Sequence, residues 1–205
     1  MKEDFKCPCR EVDPDNFITN EEVSIFLESK DSYKFKQEDY FRVYNCIHCN
    51  DCGTSEQRFI LKQKFLKDGN EIEGLSEKIE AIETHKTPFI MNKSRLKIHE
   101  GFSDKSDTLL YFGCFTTVKT PKYGEDILKY LISQNVDFCI LEKEDCCGYP
   151  LLCTGAIRAY ENLVKNNLEQ FTSRCIKKII TVCPSCFMVF KKHYSQYGIK
   201  IEYFT

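Results

Sequence analysis

Five of the chain's 13 cysteines are set out as one, two and two. Thirty-one residues separate Cys114 from the adjacent pair Cys146-Cys147, which Gly148 follows. Thirty-five residues then separate the pair from Cys183-Pro184-Ser185-Cys186. A tetrahedral zinc site usually draws its thiolates from knuckles whose two cysteines are roughly two to four residues apart. An adjacent pair suits that arrangement poorly. Five thiolates in this order suit a larger metal–sulfur cluster.

A second group, Cys46-Ile47-His48-Cys49-Asn50-Asp51-Cys52, has two residues between successive cysteines. That spacing wraps three thiolates around one face of a cubane [4Fe–4S] cluster. Bacterial ferredoxins place a fourth Cys-Pro about three residues further on; Glu56 stands there instead. In two-cluster ferredoxins the fourth cysteine of each run ligates the other cluster. Cys7-Pro8 has the Cys-Pro signature and lies upstream, so Cys7, Cys46, Cys49 and Cys52 form one ligand set, with Cys9 as the alternative to Cys7. A zinc knuckle built from the same residues is the competing metal site. His48, between ligands, reads as a solvent-facing spacer. His85, His99 and His193 read as ordinary surface or core histidines. Cys139 and Cys175, inside apolar segments, read as packed thiols, and so does Cys153.

Composition limits what such sites could serve. The 205 residues are 42% hydrophobic and 29% charged, an ordinary balance for a globular chain long enough for one large domain or two small ones. A net charge of −2 without blocks of like charge argues against nucleic acid as a partner. The opening MKEDFKCPCREVD has no apolar core of a signal peptide. No run approaches the roughly 18 apolar residues of a membrane span. The odd cysteine count argues against a secreted disulfide scaffold. A cytoplasmic location is expected.

The elements that must position these cysteines differ between the two halves. Before residue 100 the chain reads as helices: one from Thr19 with Val23, Phe26 and Leu27 inward, one through Tyr40, Val43 and Tyr44, one over Ser55–Lys67 with Phe59, Ile60, Leu61 and Phe65, and one from Ser76. Residues 84–107 read as a linker. Beyond them, strands at 108–112, 136–141, 176–182 and 199–204 alternate with helices at 123–134, 155–171 and 187–197. That alternation predicts a parallel α/β sheet. Ligands of such sheets sit beyond the carboxyl ends of the strands, where Cys114, Cys146, Cys147, Cys183 and Cys186 all fall. Tyr111, Phe112, Phe115 and Phe187 read as core or cluster-shielding aromatics. The expected fold is mixed: an all-α domain over 1–100, then an α/β domain over 101–205 with a parallel four-stranded sheet.

On its five cysteines, Gly148 and Pro150, the stretch 108–205 resembles the cysteine-rich CCG domain found in the B-type and D-type chains of heterodisulfide reductase and in their relatives. These relatives include an iron–sulfur chain of glycerol-3-phosphate dehydrogenase and lactate-utilisation iron–sulfur proteins. The segments CCGYP, the stretch from Asn162 to Asn167, and TVCPSCFMVFKKHY look most like the first of the two modules usual in that family. Residues 1–100 resemble the helical ferredoxin domain of the D-type chain, with one of its two clusters gone.

The resemblance implies that Cys114, Cys146, Cys147, Cys183 and Cys186 hold a noncubane [4Fe–4S] cluster where substrate is met, and are catalytic in that sense. Gly148 and Pro150 would shape the turn beside it. The implied function is an electron-transfer subunit of a heterodisulfide-reductase-like oxidoreductase, carrying electrons from the cubane to the noncubane cluster and on to a thiol, disulfide or partner centre. Implied partners are a flavoprotein, a ferredoxin, a second CCG-module subunit or a second copy of the chain. The alternatives are a zinc-stabilised scaffold with no redox role and a split-gene half that needs a second CCG subunit.

Overall fold

Thr19 starts the first helix for a local reason. Its hydroxyl accepts from the Glu22 backbone N–H at 2.9 Å, and the Glu22 carboxylate accepts from the Thr19 N–H at 2.7 Å, a reciprocal capping box. The computed structural model describes residues 13, 15–29, 35–49, 52–69, 72–89, 96 and 105–205. They divide into two compact units: Met1–Ile79 with Pro150–Arg158, and Glu80–Tyr149 with Ala159–Thr205. No helix among the described residues is long and apolar enough to cross a membrane.

In the first unit, α1 (Asn20–Glu28), α2 (Gln37–Tyr44) and α3 (Ser55–Lys67) bury Ile18, Val23, Phe26, Val43, Leu61 and Phe65 in one cluster. A fourth helix, α4 (Leu75–His85), runs across the unit boundary. The inward stripe of α3 differs from the expected one. Ile60 is exposed, and Arg58 and Lys62 are buried beside Leu61 and Phe65. Positions 58, 61, 62 and 65 lie on one helical face. Buried charges need partners, and both find backbone carbonyls. Arg58 donates to Ile18 O at 3.0 Å and to Asn20 Oδ1 at 2.9 Å; Lys62 donates to Cys46 O at 2.6 Å.

The second unit is built on β1 (Thr108–Tyr111), β2 (Lys178–Thr181) and β3 (Lys200–Tyr203), parallel and in that order. Between β1 and β2 run α5 (Cys114–Lys119), α6 (Pro121–Ser133), α7 (Tyr149–Thr154) and α8 (Ile157–Ser173). Between β2 and β3 the chain forms α9 (Pro184–Val189), a π-turn (Phe190–Tyr194) and a 3-10 turn (Ser195–Tyr197), where a single helix was expected. Side chains alternate across a sheet. Leu110, Phe112, Ile180 and Val182 pack on Ile127, Leu128 and Leu131 of α6. On the other face Tyr111 meets Phe190 edge-on at 4.8 Å, and Phe190 meets Phe171 and Tyr194.

The expected sheet had four strands; the described residues form three. The segment 136–141 makes only one bridge to β1, Leu109 to Cys139. Cys139 N–H donates to Thr108 O at 2.8 Å, and Leu110 N–H to Cys139 O at 2.9 Å. The ladder then stops because a side chain replaces the strand. The Glu144 carboxylate accepts from the N–H groups of Phe112 at 2.9 Å and Gly113 at 2.8 Å. Upstream, Asn135 takes a left-handed φ of 53° as α6 ends. The apolar pattern of 136–141 is real, because Phe138 and Ile140 are core residues, but it reports burial rather than pairing.

Glu144→Ala removes both acceptors. Each lost bond to a partly buried amide is worth about 1–3 kcal/mol. Amide exchange at Phe112 and Gly113 is therefore expected to accelerate by about 10- to 100-fold, with Ile179 and Ile180 unaffected. Unchanged protection at the two amides would contradict this account of the missing strand.

Candidate functional site

Cys114 opens α5 directly after Gly113, which has a φ of 80°. A Cβ at Gly113 would lie 2.9 Å from Cys186 Sγ and 3.4 Å from Cys183 Cβ, so the turn admits no side chain. Cys183 caps α9, and Cys186 is the third residue of that helix. Cys114 Sγ and Cys146 Sγ are 4.0 Å apart. Cys147 is hydrogen-bonded to Cys146 on one side and Cys186 on the other, and Cys186 to Cys183. The five thiols expected to share a site are therefore together, in a row that runs 114, 146, 147, 186, 183. Cys146, Cys147 and Cys186 are buried, while Cys114 and Cys183 are only partly so.

Buried polar side chains hold the middle of the row. Tyr111 donates its hydroxyl proton to Asp145 O. Asn167 donates to Cys146 O at 3.0 Å and to the Tyr194 hydroxyl at 3.0 Å. The Cys146 N–H donates to Lys86 O at 2.7 Å. With its carbonyls engaged, the turn aims other N–H groups at sulfur: Gly148 N–H at Cys146, Tyr149 N–H at Cys147, and the N–H groups of Ser185 and Cys186 at Cys183. Gly148 has a φ of 97°, and Pro150 is the second residue of α7.

The row divides its protons unequally. A hydrogen bond from Cys186 outweighs burial and brings the Cys183 thiol down to about 6. Bonds from Cys146 and Cys186 lower Cys147 in the same way. Cys114 is pushed up by its bond to Cys146 and by burial. In Cys146 the bond from Cys114 favours the thiolate, but donation to Cys147 and burial prevail and raise it. Cys186, donor to both Cys147 and Cys183, is raised too. Burial lifts Glu144 to about 7 against its two N–H donors. Deprotonated together, five neighbouring sulfurs would need cationic charge among them. A polynuclear metal–sulfur core would meet that need. Among the described residues no three His, Cys, Asp or Glu side chains are grouped as a single-ion site.

The second cysteine set lies between α2 and α3. Cys46 is half-buried, Cys49 exposed and Cys52 buried. His48 takes a φ of 58°, and its N–H donates to Cys46 Sγ at 3.4 Å. Cys52 Sγ lies 3.2 Å from the Thr54 hydroxyl. Burial opposes the Cys52 thiolate, but hydrogen bonds from Thr54 and the charge of Arg58 prevail, and its thiol sits below the ordinary value. Cys7, Pro8 and Cys9 lie outside the described residues, as does His99. The Ser55 carbonyl is 3.2 Å from His48 Nδ1.

Cys139 is buried at the lone bridge, and Cys175 is exposed in a turn with a φ of 55°. Cys153 belongs to the first unit, where Lys62 feels its charge. Phe115, expected as a core or cluster-shielding aromatic, is exposed. Sequence reasoning missed Glu144, Tyr160, Tyr194, Arg58 and Lys62. Arg58 and Lys62 left one signal, their place on the stripe of Leu61 and Phe65; Glu144 left none.

Residues 108–191 match the CCG family, described as a cysteine-rich domain. An uncharacterised iron–sulfur protein of Methanococcus maripaludis is 23% identical over 95% of this chain and 43% of its own length. The chain thus spans less than half of that relative. The EtfAB:quinone oxidoreductase of Syntrophomonas wolfei is 36% identical over 46% of this chain and 14% of its own length. One subunit of the fumarate reductase (CoM/CoB) of Methanothermobacter marburgensis is 31% identical over 45% of this chain and 18% of its own length. No solved structure matches.

Proposed function

We propose, from the match of residues 108–191 to the CCG cysteine-rich domain family, that the chain is an iron–sulfur electron-transfer subunit of an oxidoreductase of heterodisulfide-reductase type. The observation that carries the reading is the row of five thiols beyond the carboxyl ends of β1 and β2. Cys114, Cys146, Cys147, Cys183 and Cys186 would hold a noncubane [4Fe–4S] cluster. Cys46, Cys49 and Cys52, with Cys7 or Cys9, would hold a cubane. A bound cluster supplies one-electron transfer at thiolate-ligated iron.

The chain's own residues do the rest. Tyr111 and Asn167 fix the backbone of the CCG turn, so the N–H groups of Gly148 and Tyr149 stay directed at sulfur. Such bonds, with burial, set reduction potential. Phe171, Phe190 and Tyr194 keep water from the inner side. Cys114 and Cys183, the less buried pair, stand where a substrate thiol, disulfide or partner centre could approach. Relatives named as an oxidoreductase and a reductase subunit support a role beside other redox subunits. A flavoprotein, a ferredoxin, a second CCG-module subunit or a second copy of the chain fits that place.

The test is metal and sulfide analysis after anaerobic purification and reconstitution. Two clusters correspond to about eight irons and eight sulfides per chain, about four of each per cluster. The protein is expected to be brown, with a low-temperature paramagnetic signal on one-electron reduction or oxidation. A colourless protein holding stoichiometric zinc would overturn the proposal.

A further inference from the structure

Tyr160 lies just behind the thiol row and has one group unaccounted for. The residue is 5% exposed, and its hydroxyl meets no hydrogen-bond partner among the described residues. Buried hydroxyls are nearly always paired. The polar groups around the CCG turn are otherwise engaged: Tyr111 on Asp145 O, and Asn167 on Cys146 O and on Tyr194.

The ring is fixed in place. A Cβ on Gly148 would lie 2.6 Å from both Cδ2 and Cε2 of Tyr160, so the ring covers the Gly148 Cα, one residue from Cys147. The His193 ring packs edge-on against the Tyr160 ring, with centroids 5.4 Å apart and planes at 74°. A phenol keeps its proton at neutral pH, so the group can act as a neutral donor or acceptor. Sulfur-rich, electron-dense surroundings call for the donor.

We propose that the Tyr160 hydroxyl donates a hydrogen bond to a sulfide of the cluster held by the five cysteines, and so tunes its reduction potential. The inference rests on the cluster assignment given under Proposed function. A donor bond to sulfur strengthens as the sulfur gains negative charge. Tyr160 therefore favours the reduced state and raises the potential. It is a positioning and tuning residue; the sulfurs remain the ligands.

The test compares the full-length wild-type holoprotein with Tyr160→Phe at matched iron content. The phenylalanine keeps the ring on Gly148 and against His193 and loses only the hydroxyl. Redox titration followed by electron paramagnetic resonance is expected to show about a tenfold weaker preference for the reduced state, a shift of about 59 mV to lower potential for a one-electron couple. The shift should appear only in the signal that Cys147→Ala abolishes. Pulsed measurements in deuterated buffer should lose one strongly coupled exchangeable deuteron. Equal potentials and an unchanged deuteron coupling would overturn the tuning role. So would a Tyr160→Phe protein that fails to hold iron, since the residue would then be structural. A wild-type protein that binds no iron would overturn the cluster assignment itself, and this inference with it.

Discussion

Replacing Cys147 by alanine should strip the C-terminal unit of its cluster and cost the chain about half its iron, about four atoms of the eight expected for two [4Fe–4S] clusters. Cys147 is the centre of the sulfur row, bonded to Cys146 on one side and Cys186 on the other. Its loss separates Cys114 and Cys146 from Cys183 and Cys186. Cys146→Ala should do the same. Cys139→Ala and Cys175→Ala should each retain full iron, because Cys139 is packed at the bridge to β1 and Cys175 is exposed in a turn. Cys139→Ala should still destabilise the fold, by about 1–3 kcal/mol for a small buried side chain. Iron analysis of the four variants, reconstituted side by side, checks the ranking. Equal iron loss in all four would mean that the row has no special standing among the buried and surface thiols.

That the five cysteines would meet was legible in spacing alone, and the reason is physical. A multi-thiolate site constrains residue types at fixed places, and the α/β rule delivers distant segments to one end of the sheet. Cys114, Cys146, Cys147, Cys183 and Cys186 satisfy both constraints, and the structure brings them together. The helices of the first half were equally legible, because Thr19 with Glu22 and the stripe of Val23 and Phe26 are local signals. The fourth strand was not. Periodicity reports which side chains are buried, and Phe138 and Ile140 are buried with almost no pairing. Only a long-range event, Glu144 taking the amides of Phe112 and Gly113, ends the ladder. The association of Pro150–Arg158 with the helices of the first unit was hidden for the same reason. It depends on Gly155, where a Cβ would meet the Lys62 carbonyl carbon at 2.6 Å and Gln63 N at 2.7 Å. A glycine after a short helix carries no mark of such a close approach. Arg58 and Lys62 were hidden by their chemistry, since a charged residue on a helix is read as solvent-facing until its carbonyl partners are seen.

The CCG turn itself offers the second large effect. Gly148→Ala meets two independent penalties. Its φ of 97° is a region that side chains rarely adopt, at a cost of about 1–3 kcal/mol. Its new methyl would overlap the Tyr160 ring, whose Cδ2 and Cε2 lie 2.6 Å from the ideal Cβ. Overpacking of that kind adds about 1–3 kcal/mol, since His193 stacks edge-on against the same ring and limits its retreat. The sum, about 2–6 kcal/mol, corresponds to a fall of roughly 4–24 °C in the thermal midpoint for a chain of this size. Gly198→Ala is the matched control. Its φ of 79° carries the same kind of strain, but nothing lies within 4 Å of its ideal Cβ. That variant should fall by only about 1–2 kcal/mol, or a few degrees. Combining Gly148→Ala with Tyr160→Ala should cost less than the two singles added, because the second change removes the overlap and leaves the backbone strain. Scans of the four anaerobic variants and the wild-type protein at one heating rate give the comparison. If Gly148→Ala falls no further than Gly198→Ala, the ring does not press on the turn, and the route from Tyr160 to the thiol row loses its geometric basis.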